Sequence, residues 1–421
     1  MRIVPAALLI AGIACTGERH PASRGDAWVA ERDTVGDTLV VRTVRGSAWG
    51  SPRRLVERVS IGVADGAEEL MFGDVSGIAV AGDGSVYVVD RTPTLRKFGP
   101  DGTLIRAFGR VGSGPGEYRR PDGGLAVLPD GRVVLRDPGN GRLAVFAADG
   151  TPLTTWTISS TLNTSRKLYV DTAGSVYPLI ILGPADDPSD WRMGLLRFGS
   201  TGEARDSVAT PRWDFKPATI KGQAEGSTSI NDVPFSPRVH WTFSPLGYMV
   251  GGVSTHYRID LFRPDGVLRI ERDTPGVPVQ SEEASDERDI ATHNMRQSFP
   301  GWVWNGPDVP STKPPFRDVY AGEDGRIWVL LSRSGVKADD AGGPDPNGFR
   351  DSPWSEPIAF DVYEPDGRYL GEVSAPSGFL RHPEPTFRGD TVWAAVEDAE
   401  GARYVKRFEL GAAPADSVGR N

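Results

Sequence analysis

The sequence predicts an all-β fold, a six-bladed β-propeller of four-stranded antiparallel blades. Three observations support this expectation. A glycine turn followed by a β-branched or apolar residue, then often an aromatic, recurs at Asp83-Gly84, Asp130-Gly131, Gly174, Gly247, Asp324-Gly325 and Gly389-Asp390. An aromatic residue closing a third strand alternates with it, at Phe98, Phe146, Phe198, Phe262, Tyr363 and Phe408. All but the last are followed at one offset by a second glycine turn, at Gly102, Gly150, Gly202, Gly266 and Gly367. Finally, continuous apolar runs such as VYVV at 86–89 suit sheets buried on both faces, as stacked blades are. Repeats that cannot bury their faces alone must stack, and a ring removes the exposed ends.

The chain opens with one arginine, an apolar run over residues 3–14 and a small residue before Cys15, the pattern of an export leader. Cys15 is the only cysteine, so no disulfide can form within the chain. Gly12-Ile13-Ala14-Cys15 resembles a bacterial lipobox, whose cysteine is lipidated and becomes the mature N-terminus, although Gly12 stands where Leu is usual. Thr16 resembles the outer-membrane sorting pattern of such lipoproteins. The resemblance implies a leader over 1–15, a polar tether over 16–36 and a propeller over 37–411, with 412–421 as a tail. It also implies a place on the periplasmic side of the outer membrane, or release into the periplasm. Residues 37–44, DTLVVRTV, read as a strand with no copy of their own, while the last copy lacks a fourth strand after Phe408. The expectation is that this N-terminal strand closes the last blade.

The most regular copy spans residues 123–150. Apolar runs are joined there by Pro129-Asp130-Gly131 and Asp149-Gly150, and Asp-Gly is a strong hairpin signal because glycine accepts positive φ. Residues 109–150 resemble an NHL repeat: a glycine-rich G-x-G-x-G-E-Y segment, a proline, then strand, Asp-Gly, strand, Asp137-x-x-Asn140-x-Arg142 and strand. The match extends over 73–150, weakens over 168–205 and 240–270, and is a strand pattern alone over 316–410. The chain is also similar to the six-bladed propeller lipoproteins of bacteria. NHL propellers include RNA binders, scaffolds and enzymes, so the resemblance implies a fold and leaves the function open.

Segment lengths divide the two faces of the expected disc. Turns between first and second strands, and between third and fourth, lie on one face and are short. The other face receives the long segments 109–122, 182–193, 209–239, 272–315 and 332–357. Segments of that length are usually functional or disordered. Residues 281–298, SEEASDERDIATHNMRQS, are the one expected helix, with Ser281 as cap and Glu282 and Glu283 at the positive end of its dipole.

Candidate chemistry follows from these placements. GRVGSGPG at 109–116 precedes a strand and lacks the Lys-[Ser/Thr] ending of a phosphate loop. Asp137, with neighbouring Arg136, is a candidate ligand contact, and its Asp-x-x-Asn-x-Arg element is equally a brace for a turn. His240, His256 and His382 are spread as in propeller lyases of the peptidyl-amidating type, whose metal centre draws on several blades, but no strand motif carries them together. Asp186, Asp187 and Asp190, and Asp339, Asp340, Asp345 and Asn347, are acidic loops without the spacing of a defined Ca²⁺ loop. First-strand positions hold Ser76, Tyr169, Thr242 and Tyr320, where a lactonase-like channel would place Glu, Asn and Asp around Ca²⁺. No cofactor is therefore expected, with Ca²⁺ held by the acidic loops as the lesser alternative.

The long segments carry Trp191, Trp213, Trp302, Trp304 and Trp354, a residue type enriched in binding hot spots. Trp302 and Trp304 either form a contact surface or pin their insertion to the ring. The net charge of −9 lacks the basic stripe of a nucleic-acid binder. The expected function is a binding or scaffold module whose partner is a protein, peptide or glycan of the envelope, with the membrane reached through the lipid alone. The alternative is a propeller enzyme, a lyase or hydrolase with a metal in the central channel.

Overall fold

The computed structural model describes residues 27–90, 94–158, 164, 166–183, 191–339 and 343–413. The expected leader with Cys15, the acidic residues Asp186, Asp187, Asp190 and Asp340, and residues 414–421 of the tail lie outside the described residues. The fold is propeller-like: antiparallel sheets follow one another along the chain, each laid down strand by strand. Gly77–Val80, Val86–Val89, Leu95–Phe98 and Leu104–Phe108 form one sheet in that order, and Leu125–Val127, Val133–Asp137, Arg142–Phe146 and Pro152–Thr157 form the next. In both, the second strand is wholly buried and the fourth largely exposed, as expected when only the last strand reaches the rim. The next sheet departs from this regularity. Its second strand is split into Val176–Tyr177 and Leu179–Gly183 around Pro178, which has no N–H to give the ladder.

The glycine turns have a packing role as well as a conformational one. Gly150 has φ +86°, and a β-carbon there would stand 2.6 Å from the ring of Phe108, on the outer strand of the preceding sheet. Trp156, on the outer strand of the next sheet, meets Gly202 in the same way. Core clusters fill the space between successive sheets. Tyr87, Leu95 and Phe108 pack with Leu125, Leu135 and Phe146, and Val145 and Trp156 pack with Val176 and Phe198.

The closing strand is not the one expected from the sequence. Strand β1 (Val29–Val35) and strand β2 (Thr38–Arg45) form a hairpin, and β2 pairs in parallel with Gly266–Arg272, so the pair extends a sheet in the middle of the chain. Strand β3 (Arg53–Ile61) takes the closing position. It lies between β4 (Tyr369–Ser374) and β5 (Arg403–Ala412), in an eight-stranded sheet that holds the last two repeats. It runs antiparallel to β5 from Arg53↔Ala412 to Ile61↔Val405 and touches β4 in parallel at Arg53↔Val373 and Arg54↔Ser374. The reason lies in what each strand buries. Leu55 joins the cluster of Phe408 and Val373, and Ile61 joins Phe72, Phe98, Trp393 and Val405. Val41 instead packs on Leu268 and Ile270. Through Ile61 the last sheet meets the first.

Deleting residues 27–46 should leave a cooperative thermal transition at a lower midpoint, because β1 and β2 are added to an edge that can end without them. Deleting residues 27–61 should abolish the transition by removing the partner of β5 and exposing its edge. Circular dichroism melting compares the two, and equal behaviour contradicts the assignment of β3 as the closing strand.

Candidate functional site

In each repeat the first strand runs from the long-segment face toward the glycine-turn face, so residues at its start sit at the built-up end of the central channel. The long segments on that face form a small structure of their own. The hairpin Thr219–Ala224 with Ser227–Asp232, helix α1 (Ser281–Ser298) and the chain after it share a core of Ile220, Val233, Met295, Phe299 and Trp302. The helix has the expected bounds, but its N-cap is Gln280, not Ser281. The Gln280 amide donates to Glu283 Oε2 at 3.3 Å, which draws Glu283 inward.

That carboxylate is the pin. Glu283 and Lys313 are both about 1% exposed, with Nζ 2.5 Å from Glu283 Oε1 and 3.2 Å from Glu356 Oε1. Glu356 also accepts the Arg333 amide at 2.6 Å and lies 3.3 Å from Arg317 Nε. A buried cation shared by two carboxylates therefore ties the helix, the hairpin Val336–Lys337 with Trp354–Ser355, and the ring together.

The tryptophans divide by environment. Trp302 is buried at 9% exposure, and its Nε1 donates to Lys221 O at 2.8 Å, so of the two roles open to it the structure assigns the pin. Trp304 is half-buried beside it, ring centroids 6.3 Å apart, with the Arg288 guanidinium 4.8 Å from its ring. Trp354 donates to Asp286 Oδ2 at 2.9 Å. Trp213 stands edge-on to Phe262 at 5.9 Å, away from this group in a recess with His256 and Arg258. Trp191 is half-buried. The structure therefore brings Trp302, Trp304 and Trp354 onto one insertion and leaves Trp213 apart.

Arg136 and Asp137 are fully internal. Arg136 Nη1 meets Asp122 Oδ2 at 2.5 Å. Asp137 accepts the amides of Arg119 and Arg120 at 3.0 and 3.2 Å and the Asn140 side chain at 2.5 Å. Arg142 donates to the carbonyls of Ser113 and Glu117, both in the glycine-rich segment. The geometry of this element is that of a brace.

A polar constellation at the channel mouth was not recognised in the sequence. Arg166 and Lys167 precede the strand Tyr169–Val170. His240 and Trp241 begin Val239–Ser244, Arg317 and Asp318 begin Phe316–Ala321, and Arg381, His382 and Glu384 precede Thr386–Arg388. Arg166 stacks on Trp241 at 3.9 Å and donates to Trp241 O at 3.0 Å and Tyr169 Oη at 3.2 Å. Lys167 Nζ is 2.8 Å from Glu384, and His240 Nδ1 is 3.7 Å from Asp318. Burial opposes the Lys167 charge, and the Glu384 carboxylate outweighs it, so the ammonium stays above its ordinary pKa. Burial also opposes ionisation of Asp318, yet His240 brings that carboxyl below its usual range. The His382 imidazole is pushed down by burial and by the Arg381 guanidinium. The channel also holds a cavity of about 300 Å³ whose lining runs from Lys167 and Tyr169 past Val80, Leu125 and Phe243 to the turns at Pro129, Pro245 and Gly322, on the glycine-turn face. Charged residues just before each first strand were the available signal. His256 lies elsewhere, and among the described residues no three His, Cys, Asp or Glu side chains converge to hold a metal.

No protein-family model matches the sequence, and no curated protein matches it. Among solved structures the chain is similar to a member of the DUF4221 family from Bacteroides vulgatus, at 10% identity and TM-score 0.53, over 86% of this chain and 99% of that one. It is similar also to a protein of Bacteroides fragilis predicted to be exported, at 10% identity and TM-score 0.45, over 86% and 96%. A third is the gluconolactonase XC5397 of Xanthomonas campestris, at 13% identity and TM-score 0.38, over 86% and 95%. The first likeness shows the fold, and none carries an activity to this chain.

Replacing Lys313 with Met strands Glu283 in the interior, and breaking a buried pair in this way costs about 3–5 kcal/mol. The double change Lys313→Met with Glu283→Gln should recover much of that. Denaturant unfolding of the two variants measures the difference, and equal stability would mean that the pin is not formed.

Proposed function

We propose that the chain is an exported, lipid-anchored propeller of six four-stranded, NHL-like blades that acts as a binding or scaffold module through its long-segment face. The observation that carries this reading is the insertion around α1. A ring needs only short turns, yet one face bears a structure with its own core and a buried ionic pin. The count of six is supported by the recurrent signatures, with β3 completing the last blade. Export and anchoring are supported by the leader-like start and Cys15, and no described helix is long and apolar enough to cross a membrane. Val303 at 66% exposure and Phe349 at 39% are apolar side chains held outward on the insertion, beside half-buried Trp304 and Trp354. Large exposed side chains on a rigid support are how contact surfaces are commonly built. The fitting partner is a protein, peptide or glycan of the cell envelope.

Photo-crosslinking in cells tests the reading. A crosslinker placed at Val303 or Phe349 should give a discrete adduct, and one at Asp83 or Asp324 on the opposite face should give none. The same chain should sediment with membranes, and Cys15→Ala should move it to the soluble periplasmic fraction. Adducts from the opposite face alone would overturn the choice of face. Sedimentation of Cys15→Ala with membranes would overturn the anchor.

A further inference from the structure

Residues 345–350 are fixed to the insertion at almost every position. The Asp345 carboxylate accepts the amides of Asn347 and Phe349 at 2.9 and 2.7 Å, and the Phe349 carbonyl accepts the Asp345 amide at 2.7 Å. Two side chains of α1 hold the same turn. His293 Nε2 lies 2.9 Å from the Gly348 carbonyl, and Asn294 donates to the Arg350 carbonyl and accepts the Arg350 amide, each at 2.9 Å. Yet Phe349, between these bonds, is 39% exposed. An exposed aromatic on a backbone already ordered is a preorganised contact, because little conformational freedom remains to be lost on binding.

Phe349 lines a groove of about 450 Å³ between α1 and the hairpin of residues 219–232. Ile220 and Met295, both buried, give the groove an apolar floor. Its polar lining is Ser229, Asn231 and Asp232 from the hairpin and Ser298 from the helix. Asn231 Nδ2 donates to Ser229 Oγ at 3.1 Å. The Asn231 carbonyl oxygen and the Ser298 hydroxyl have no hydrogen-bond partner among the described residues. Asp232 is 3.1 Å from Arg238, and no basic side chain among the described residues lines the groove.

That lining selects by chemistry. One carboxylate without a cation disfavours an anion. A purely apolar ligand would strip water from the hydroxyl, amide and carboxylate groups and return no hydrogen bond. A pyranose ring has C–H faces and an O–H rim. The negative face of an aromatic ring attracts the weakly positive C–H groups, and hydroxyls, each both donor and acceptor, match a mixed set of Asn, Asp and Ser. The groove's volume lies in the range of small-ligand sites.

We propose that this groove binds a neutral saccharide, one ring stacked on Phe349 and its hydroxyls bonded to Asn231, Asp232 and Ser298. This rests on the long-segment face being the working face, and it chooses the glycan among the partners that suit that face.

Saturation-transfer NMR on the purified full chain tests it. The probes are chitotriose and maltotriose, neutral oligosaccharides with and without N-acetyl groups, and N-acetylated, C-amidated tetra-alanine as a neutral peptide. At least one saccharide should receive saturation at its ring C–H protons at about 10 mM or below, and the peptide should bind more weakly or not at all. Phe349→Ala should weaken the saccharide by about tenfold or more at an unchanged thermal midpoint, whereas Phe349→Trp, which keeps an aromatic face, should retain it. Saturation of neither saccharide, or equal affinity in Phe349→Ala, overturns the inference. Tetra-alanine bound as tightly as the saccharide would also overturn it, as a peptide groove. A failure of saccharide binding with adducts intact at Val303 removes only the saccharide. Adducts from the opposite face alone, with saccharide binding intact, remove only the wider reading.

Discussion

The seam at β3 is the constraint on which the rest of the structure depends. A sheet buried on both faces gains its stability from neighbours, and in a ring every sheet has two only if first and last meet. Here the meeting is made by backbone pairing as well as side chains, since residues 53–61 pair with 405–412 across nearly the whole described chain. Gly102 makes the same point locally. It has φ +89°, and a β-carbon there would stand 3.0 Å from Val59 of β3, the relation that Gly150 has to Phe108. The closing strand therefore meets the first sheet as the outer strands of the first two sheets meet their successors. Everything on the long-segment face, including the channel mouth, presupposes that registration, because its residues come from separate first strands.

Several buried polar groups of this fold are matched in networks. Asp361 is fully buried and accepts from Tyr257 and Tyr369 hydroxyls at 2.7 and 2.6 Å and from Arg272 at 2.5 Å. Glu283, Asp137 and Lys313 are matched in the same thorough way. Interiors pair their polar groups because an unpaired one loses its hydration without return.

What was legible in the sequence was local. Glycine turns and closing aromatics register the repeats because each is a contact between neighbours in space and in chain. The helix was legible to its bounds, although its cap moved one residue because Glu283 turns back to the Gln280 amide. The closing strand differs from the expected one because residues 37–44 and 53–61 both carry apolar side chains suited to a strand, and that pattern does not say which edge is paired. Whether Trp302 binds or pins depends on what covers its ring, and Met295 and Ile220 come from separate segments. The mouth was hidden for a similar reason: Arg166, Trp241, Asp318 and Arg381 are spread over more than 200 positions and meet only in the closed ring.

Native-state hydrogen exchange tests that closure most directly. The account predicts that the amides of β3 paired with β5 exchange as slowly as those of Val86–Val89 and Ile327–Leu331, and are released with β5 in one cooperative unit. β1, whose outer edge is unpaired, should exchange far sooner. Rapid exchange throughout β3 beside a slowly exchanging β5 would contradict it.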